Sequence, residues 1–121
     1  MLEGNLSGLR VLVVEDEFFI ADDLLQALQE LDAEVLGPVQ TKGQALTLLS
    51  RSDRIDFAIL DVNLHGEADF CVADALAARG IPFVMATGYA RETLPSRFRD
   101  VPYWEKPFDP TALARALSTI N

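Results

Sequence analysis

Phe57-Ala58-Ile59-Leu60-Asp61 is an apolar run that stops on an acid, and it repeats what Arg10-Val11-Leu12-Val13-Val14-Glu15 does nearer the N-terminus. Uninterrupted runs of this length and β-branched character suit strands buried on both faces, since alternation with polar residues is needed only where one face meets water. Between the two runs the period changes. From Glu17 to Leu31 the apolar residues Phe18, Ile20, Ala21, Leu24, Leu25, Leu28 and Leu31 recur at helical spacing among acids and glutamines, which predicts an amphipathic helix. Glu34 to Val39 reads as a second short strand, and Pro38, which has no N–H for a ladder, places it near a sheet edge. Thr41 and Gln44 have capping-box spacing and launch a helix to about Arg51.

Downstream of Asp61 a loop containing Gly66 leads to an Ala-rich helix from about Asp69 to Arg79, stopped by Gly80. Pro82-Phe83-Val84-Met85-Ala86-Thr87 is the fourth strand and Val101 to Glu105 the fifth, with a short polar helix around Arg91 to Phe98 between them. Asp109 can cap the last helix, Pro110 fits its first position, and Leu113, Ala114 and Leu117 supply its inward face. Strand and helix thus alternate along the whole chain. Each parallel pair needs a right-handed crossover, so the expected fold class is α/β, a doubly wound five-stranded parallel sheet with helices on both faces.

The chain has 121 residues, the size of one domain, so residues 9–121 are read as that domain, residues 1–8 as a loose leader, and no separate output domain is expected. Half the residues are hydrophobic and 24% are charged, the balance of a soluble globular protein. Nineteen acids against ten bases give a formal charge of −9, which repels phosphate backbones and anionic lipid, so neither nucleic acid nor membrane is expected as a partner. Apolar runs fall well short of the ~20 residues that span a bilayer. The N-terminus lacks a signal pattern, and the cytoplasm is the expected compartment. Cys71, the one cysteine, reads as a small core residue.

In doubly wound sheets the functional crevice lies beyond the carboxyl ends of the strands. Those ends carry Glu15 and Asp16, then Asp61, Thr87 and Lys106. Three carboxylates with one ammonium leave two formal negative charges in excess, and crowded carboxylates resist joint ionisation unless a cation offsets them. Hard oxygen donors of this kind suit Mg²⁺.

The acid pair Glu15-Asp16, the strand-end Asp61, Thr87 and Lys106-Pro107-Phe108, in order at matching element ends, resemble the receiver domains of response regulators over nearly the whole chain. That resemblance implies a flavodoxin-like sheet of strand order 2-1-3-4-5 and a phosphorelay protein of two-component signal transduction, not an enzyme in its own right. It implies that Asp61 takes a phosphoryl group from a sensor histidine kinase or a histidine phosphotransfer protein. Mg²⁺ would sit on Asp16, Asp61 and the backbone carbonyl of Asn63, with Glu15 helping directly or through water, and Lys106 would supply a second positive point. Thr87 would donate its hydroxyl to the phosphoryl group. Tyr103 would then change rotamer and alter the face of the fourth helix, fifth strand and fifth helix that addresses a downstream target protein. Met85-Ala86-Thr87-Gly88-Tyr89 is similar to the motif of the FAT GUY receivers, with Met85 for the leading Phe and no residue between Gly88 and Tyr89. Where many receivers carry Pro four positions after the phosphoacceptor, this chain has His65, followed by Gly66.

Singly, each residue has a plainer reading: Glu15 and Asp16 as helix N-terminal acids, Asp61 and Asn63 as turn formers, Lys106 as a solvated cation, Thr87 as a strand former, Tyr103 as a packing ring. Two rival functions also exist. A haloacid-dehalogenase-like phosphatase needs a second Asp two residues after its nucleophile, where this chain has Asn63, which cannot act as a general acid. A docking module that keeps the fold without the chemistry has no need of the intact acid pair, Asp61, Thr87 and Lys106.

Overall fold

The computed structural model describes residues 6–51, 54–64 and 67–120. Its sheet holds five parallel strands, β1 (Arg10–Val14), β2 (Glu34–Val39), β3 (Phe57–Leu60), β4 (Phe83–Thr87) and β5 (Tyr103–Glu105), in the order β2-β1-β3-β4-β5. This is the doubly wound order expected, with β2 at an edge. Alternate residues along the central strands feed two separate cores. Leu12, Val14, Ala58, Leu60 and Met85 pack against α2 (Lys42–Ser50) and α3 (Cys71–Ala78), whereas Val11, Val13, Phe57, Ile59, Val84 and Ala86 pack against α1 (Phe18–Glu30) and α4 (Pro110–Ile120). Apolar residues are required on both faces, and that is why the strand sequences do not alternate.

Local chemistry sets the element ends. Thr41 caps α2 through Gln44 N–H at 3.1 Å, and the Gln44 side chain accepts from Gln40 N–H at 2.8 Å. Asp109 caps α4 through the N–H of Thr111 at 3.0 Å. Gly80, at φ +70°, takes the left-handed turn that stops α3. Gly37, at φ +94°, lies at the register shift between β1 and β2, and a Cβ there would sit 2.6 Å from Val39 N and 3.0 Å from the Val13 carbonyl oxygen.

Three expectations change. The short helix expected around Arg91 to Phe98 is two 3-10 turns, Arg91–Thr93 and Ser96–Phe98. Pro95 explains the break, since it lacks an N–H and pushes Leu94 to extended backbone at ψ 148°. Cys71 is exposed, because the inward face of α3 is Val72, Ala73 and Leu76 and Cys71 precedes it. Phe18, expected on the apolar face of α1, is 66% exposed and Phe19 beside it 79%. The buried residues of that helix begin one turn later, at Ala21. Leu6 is buried, and its N–H donates to the Leu31 carbonyl at 2.6 Å. His65 and Gly66 lie outside the described residues, which include, between them and Asp61, one arm of a short antiparallel pairing of Asn63–Leu64 with Glu67–Ala68. Among the described residues no helix is long and apolar enough to cross a membrane.

Candidate functional site

Parallel pairing of β1 with β3 sets Val14 beside Leu60, so the next residues, Glu15 and Asp61, emerge side by side from the sheet. Their amides extend the ladders, Asp61 N–H to the Val14 carbonyl at 2.9 Å and Glu15 N–H to the Val39 carbonyl at 2.9 Å, which leaves both side chains committed to the same crest. Both are buried, Glu15 at 1% exposure and Asp61 at 2%. Lys106 reaches them from the end of β5, where its N–H donates to the Thr87 carbonyl at 2.9 Å.

The Lys106 ammonium donates to Asp61 Oδ2 at 2.7 Å, to Glu15 Oε2 at 2.9 Å and to Glu17 Oε2. Asn63 N–H donates to Asp61 Oδ1 at 2.8 Å, and Glu17 N–H to Glu15 Oε2 at 3.2 Å, so Asp61 is held through both oxygens and Glu15 through Oε2. Asp16 is half-buried at the rim, and oxygens of Glu15, Asp16, Glu17 and Asp61 all lie within 4.8 Å of one another. Four carboxylates and one ammonium give the cluster a formal charge of −3.

Burial is the main force on Glu15: it lifts the carboxyl to about 7, with the Asp61 charge adding to the rise and Lys106 opposing it. Burial also works against the charged form of Lys106, but hydrogen bonds to Asp61, Glu17 and Glu15 outweigh it and its pKa rises. Among the described residues, the side-chain oxygen of Asn63 is buried without a partner. A hard divalent cation is the ligand this donor set accommodates: closely spaced carboxylate oxygens with a negative excess.

Thr87, fully buried, ends β4, and its Oγ1 accepts from Tyr89 N–H at a long 3.4 Å. The Tyr103 hydroxyl donates to the Tyr89 carbonyl, and the Arg91 guanidinium lies over the Tyr103 ring, 5.3 Å from its centre. Hence Glu15, Asp16, Asp61, Asn63 and Lys106 come together in one cluster, while Thr87 and Tyr103 are joined to each other through Tyr89. Sequence reading missed Glu17, taken only as the start of a helix; its signal was the unbroken acid run Glu15-Asp16-Glu17.

No family model matches the chain. Among solved structures, SdrG from Sphingomonas melonis Fr1 is 44% identical and superposes with a TM-score of 0.78 over 98% of each chain. SdrG from Pseudomonas melonis Fr1 in its BeF3-activated conformation is 45% identical, with a TM-score of 0.76 over 95% of this chain and 98% of that one. The response regulator PhyR from Brucella abortus is 29% identical, with a TM-score of 0.74 over 95% of this chain and 48% of its own. An uncharacterised transcriptional regulatory protein of Bacillus subtilis, YbdJ, is 30% identical over 89% of this chain. The chain spans about half the length of the curated relatives it matches, 48% and 42%.

Proposed function

The chain belongs to the response-regulator receiver domains of two-component signalling, and we propose that Asp61 accepts a phosphoryl group from a histidine kinase or histidine phosphotransfer protein in a Mg²⁺-dependent reaction. One observation carries this reading: a single ammonium, Lys106, is shared between two buried carboxylates, Asp61 and Glu15, inside a cluster that stays negative after it is counted. Structural ion pairs do not need such an excess. A site that must receive both a divalent cation and a phosphoryl group does.

Asp16, Asp61 and the Asn63 carbonyl would hold Mg²⁺, with Glu15 acting directly or through water and Glu17 close enough to join. Mg²⁺ bound there supplies positive charge to the transferring phosphoryl oxygens. The Asn63 N–H and the Lys106 ammonium fix the plane of the Asp61 carboxylate. One of its oxygens bonds to phosphorus, the P–N bond of the phosphohistidine breaks, and the electron pair leaves with the imidazole, which takes a proton from solvent. Lys106 can follow the new charge onto a phosphoryl oxygen without leaving Glu15. The edge-to-face pair Phe18–Phe19, centres 5.4 Å apart and directly after Glu17, offers an apolar landing for the donor protein.

Thr87 is weakly held by its 3.4 Å contact with Tyr89, so its hydroxyl is available to donate to the phosphoryl group. Movement of Thr87 and Tyr89 would change what the Tyr103 hydroxyl meets. That passes the signal to a target-binding face made of the 3-10 turns, β5 and α4, as a population shift driven by the phosphoryl contacts. A BeF3-activated conformation of the 45% identical SdrG supports the reading, since tetrahedral BeF3⁻ is a stand-in for a phosphoryl group.

The test is incubation with acetyl phosphate and Mg²⁺, followed by intact mass and peptide mapping. One phosphoryl per chain, on Asp61 and absent from Asp61→Asn, is expected. Steady turnover of phosphomonoesters would instead make the chain a phosphatase, and no phosphoryl uptake at all would make it a docking module.

A further inference from the structure

A cleft of about 280 Å³ opens between α2 and α3, lined by Leu60, Asp61 and Leu64 at the sheet end, by Lys42 of α2, and by Asp69 and Val72. It therefore reaches the phosphoacceptor by a route that involves neither Lys106 nor Glu15. One ion pair bridges it: Lys42 Nζ lies 2.7 Å from Asp69 Oδ2, the two side chains being 47% and 33% exposed. Asp69 is fixed from two further directions, because its Oδ1 accepts from Cys71 N–H at 2.7 Å and its own N–H donates to the Val62 carbonyl at 3.0 Å. Asn63, whose N–H holds Asp61, pairs with Ala68 next to Asp69, so the pairing that carries Asn63 is tethered to α2 through Lys42. The hydrogen bond from Lys42 and that from the Cys71 amide keep the Asp69 carboxyl down at about 2, so the pair is intact throughout the neutral range. An exposed ion pair adds little to global stability. Its location is what gives it a use.

We propose that the Lys42–Asp69 pair is a strap across the α2–α3 side of the phosphoacceptor site that sets how fast water hydrolyses the acyl phosphate on Asp61. Lys42 and Asp69 are positioning residues: they hold the Asn63–Ala68 pairing and narrow the cleft without touching the phosphoryl group. The inference rests on Asp61 being the phosphoacceptor. In hydrolysis a water oxygen bonds to phosphorus, the P–O bond to Asp61 breaks, its electron pair restores the Asp61 carboxylate, and the water protons leave with inorganic phosphate. An open strap loosens the Asn63–Ala68 pairing and admits water to the cleft.

The experiment loads wild type, Lys42→Met, Lys42→Arg and Asp69→Asn with acetyl phosphate and Mg²⁺, removes the donor, and follows the phosphorylated mass with time. Alongside it, hydrogen exchange is measured at the Asn63 and Asp69 amides. Lys42→Met and Asp69→Asn should shorten the acyl-phosphate half-life roughly twofold, the rate equivalent of one exposed ion pair, and Lys42→Arg should restore it. The same two variants should speed exchange at those two amides. Asp69→Asn leaves the Lys42 charge in place, so a longer half-life there would mean that Lys42 acts on the phosphoryl group itself, and the strap would be overturned. Unchanged half-lives would overturn it too. Should wild type take no phosphate, the functional reading fails by itself, and the exchange rates still decide whether the strap holds the pairing.

Discussion

Lys106 with Asp61 and Lys42 with Asp69 are both ammonium–carboxylate contacts of 2.7 Å, on two sides of the same loop, yet they stand in different media. Around the first, side-chain exposure is 13% and 2%; around the second it is 47% and 33%. Water screens the outer pair and competes for its hydrogen bonds, whereas the inner one carries charges that burial has already made costly. Equal distances therefore predict unequal consequences, and the comparison can be broken at several points.

Lys106→Met should have the largest effect. It leaves Glu15 and Asp61 buried without their cation, a loss of about 3–5 kcal/mol in urea unfolding, and it should abolish phosphoryl uptake. Added Mg²⁺ should restore part of that stability by taking over the missing positive charge. A cost below about 1 kcal/mol would place Lys106 in the same class as the exposed pairs.

Next comes pH. The Glu15 carboxyl is raised from 4.5 to about 7 in the folded chain, so folding takes up a proton between those values. Its contribution to stability is full below 4.5 and is lost as pH rises through 7, a swing on the order of 3 kcal/mol without metal. Unfolding in a chelator should therefore be easier at pH 8 than at pH 5.5, and Glu15→Gln should flatten that dependence. Mg²⁺ should reverse the trend, because it requires the deprotonated group. A Glu15→Gln protein with the wild-type pH slope would remove Glu15 as the group responsible.

Smaller is the exposed fork of Arg97 on Asp74, whose contacts are 2.8 and 3.0 Å with half of each side chain in water. A double-mutant cycle there should give a coupling of about 0.2–1 kcal/mol, largely lost at high salt. Lys42→Met should cost a similarly small amount, about 0.5 kcal/mol, to be read in urea unfolding. High salt should leave the Lys106→Met penalty nearly unchanged, since buried charges are little screened.

Legibility follows the range of the interaction that decides each feature. β1, β3 and β4 were readable because burial on both faces dictates their unbroken apolar runs, and Asp109-Pro110 announces α4 through its own backbone chemistry. The segment from Arg91 to Phe98 misled: its polar pattern permits a helix, but the restriction that Pro95 imposes on Leu94 outweighs it. Cys71 misled for another reason, that an Ala-rich helix gives no sharp signal for which residue faces outward.

By itself, then, the sequence determined the order of strands and helices and the acids, hydroxyl and lysine that end the strands, since periodicity and capping act over a few residues. Only the tertiary structure decided which of those groups meet. Lys106 meets Glu15 across 91 positions, Glu17 joins the cluster, and Lys42 faces Asp69 across 27. Such meetings depend on the parallel register and on how far side chains reach across loops, and no local pattern encodes either.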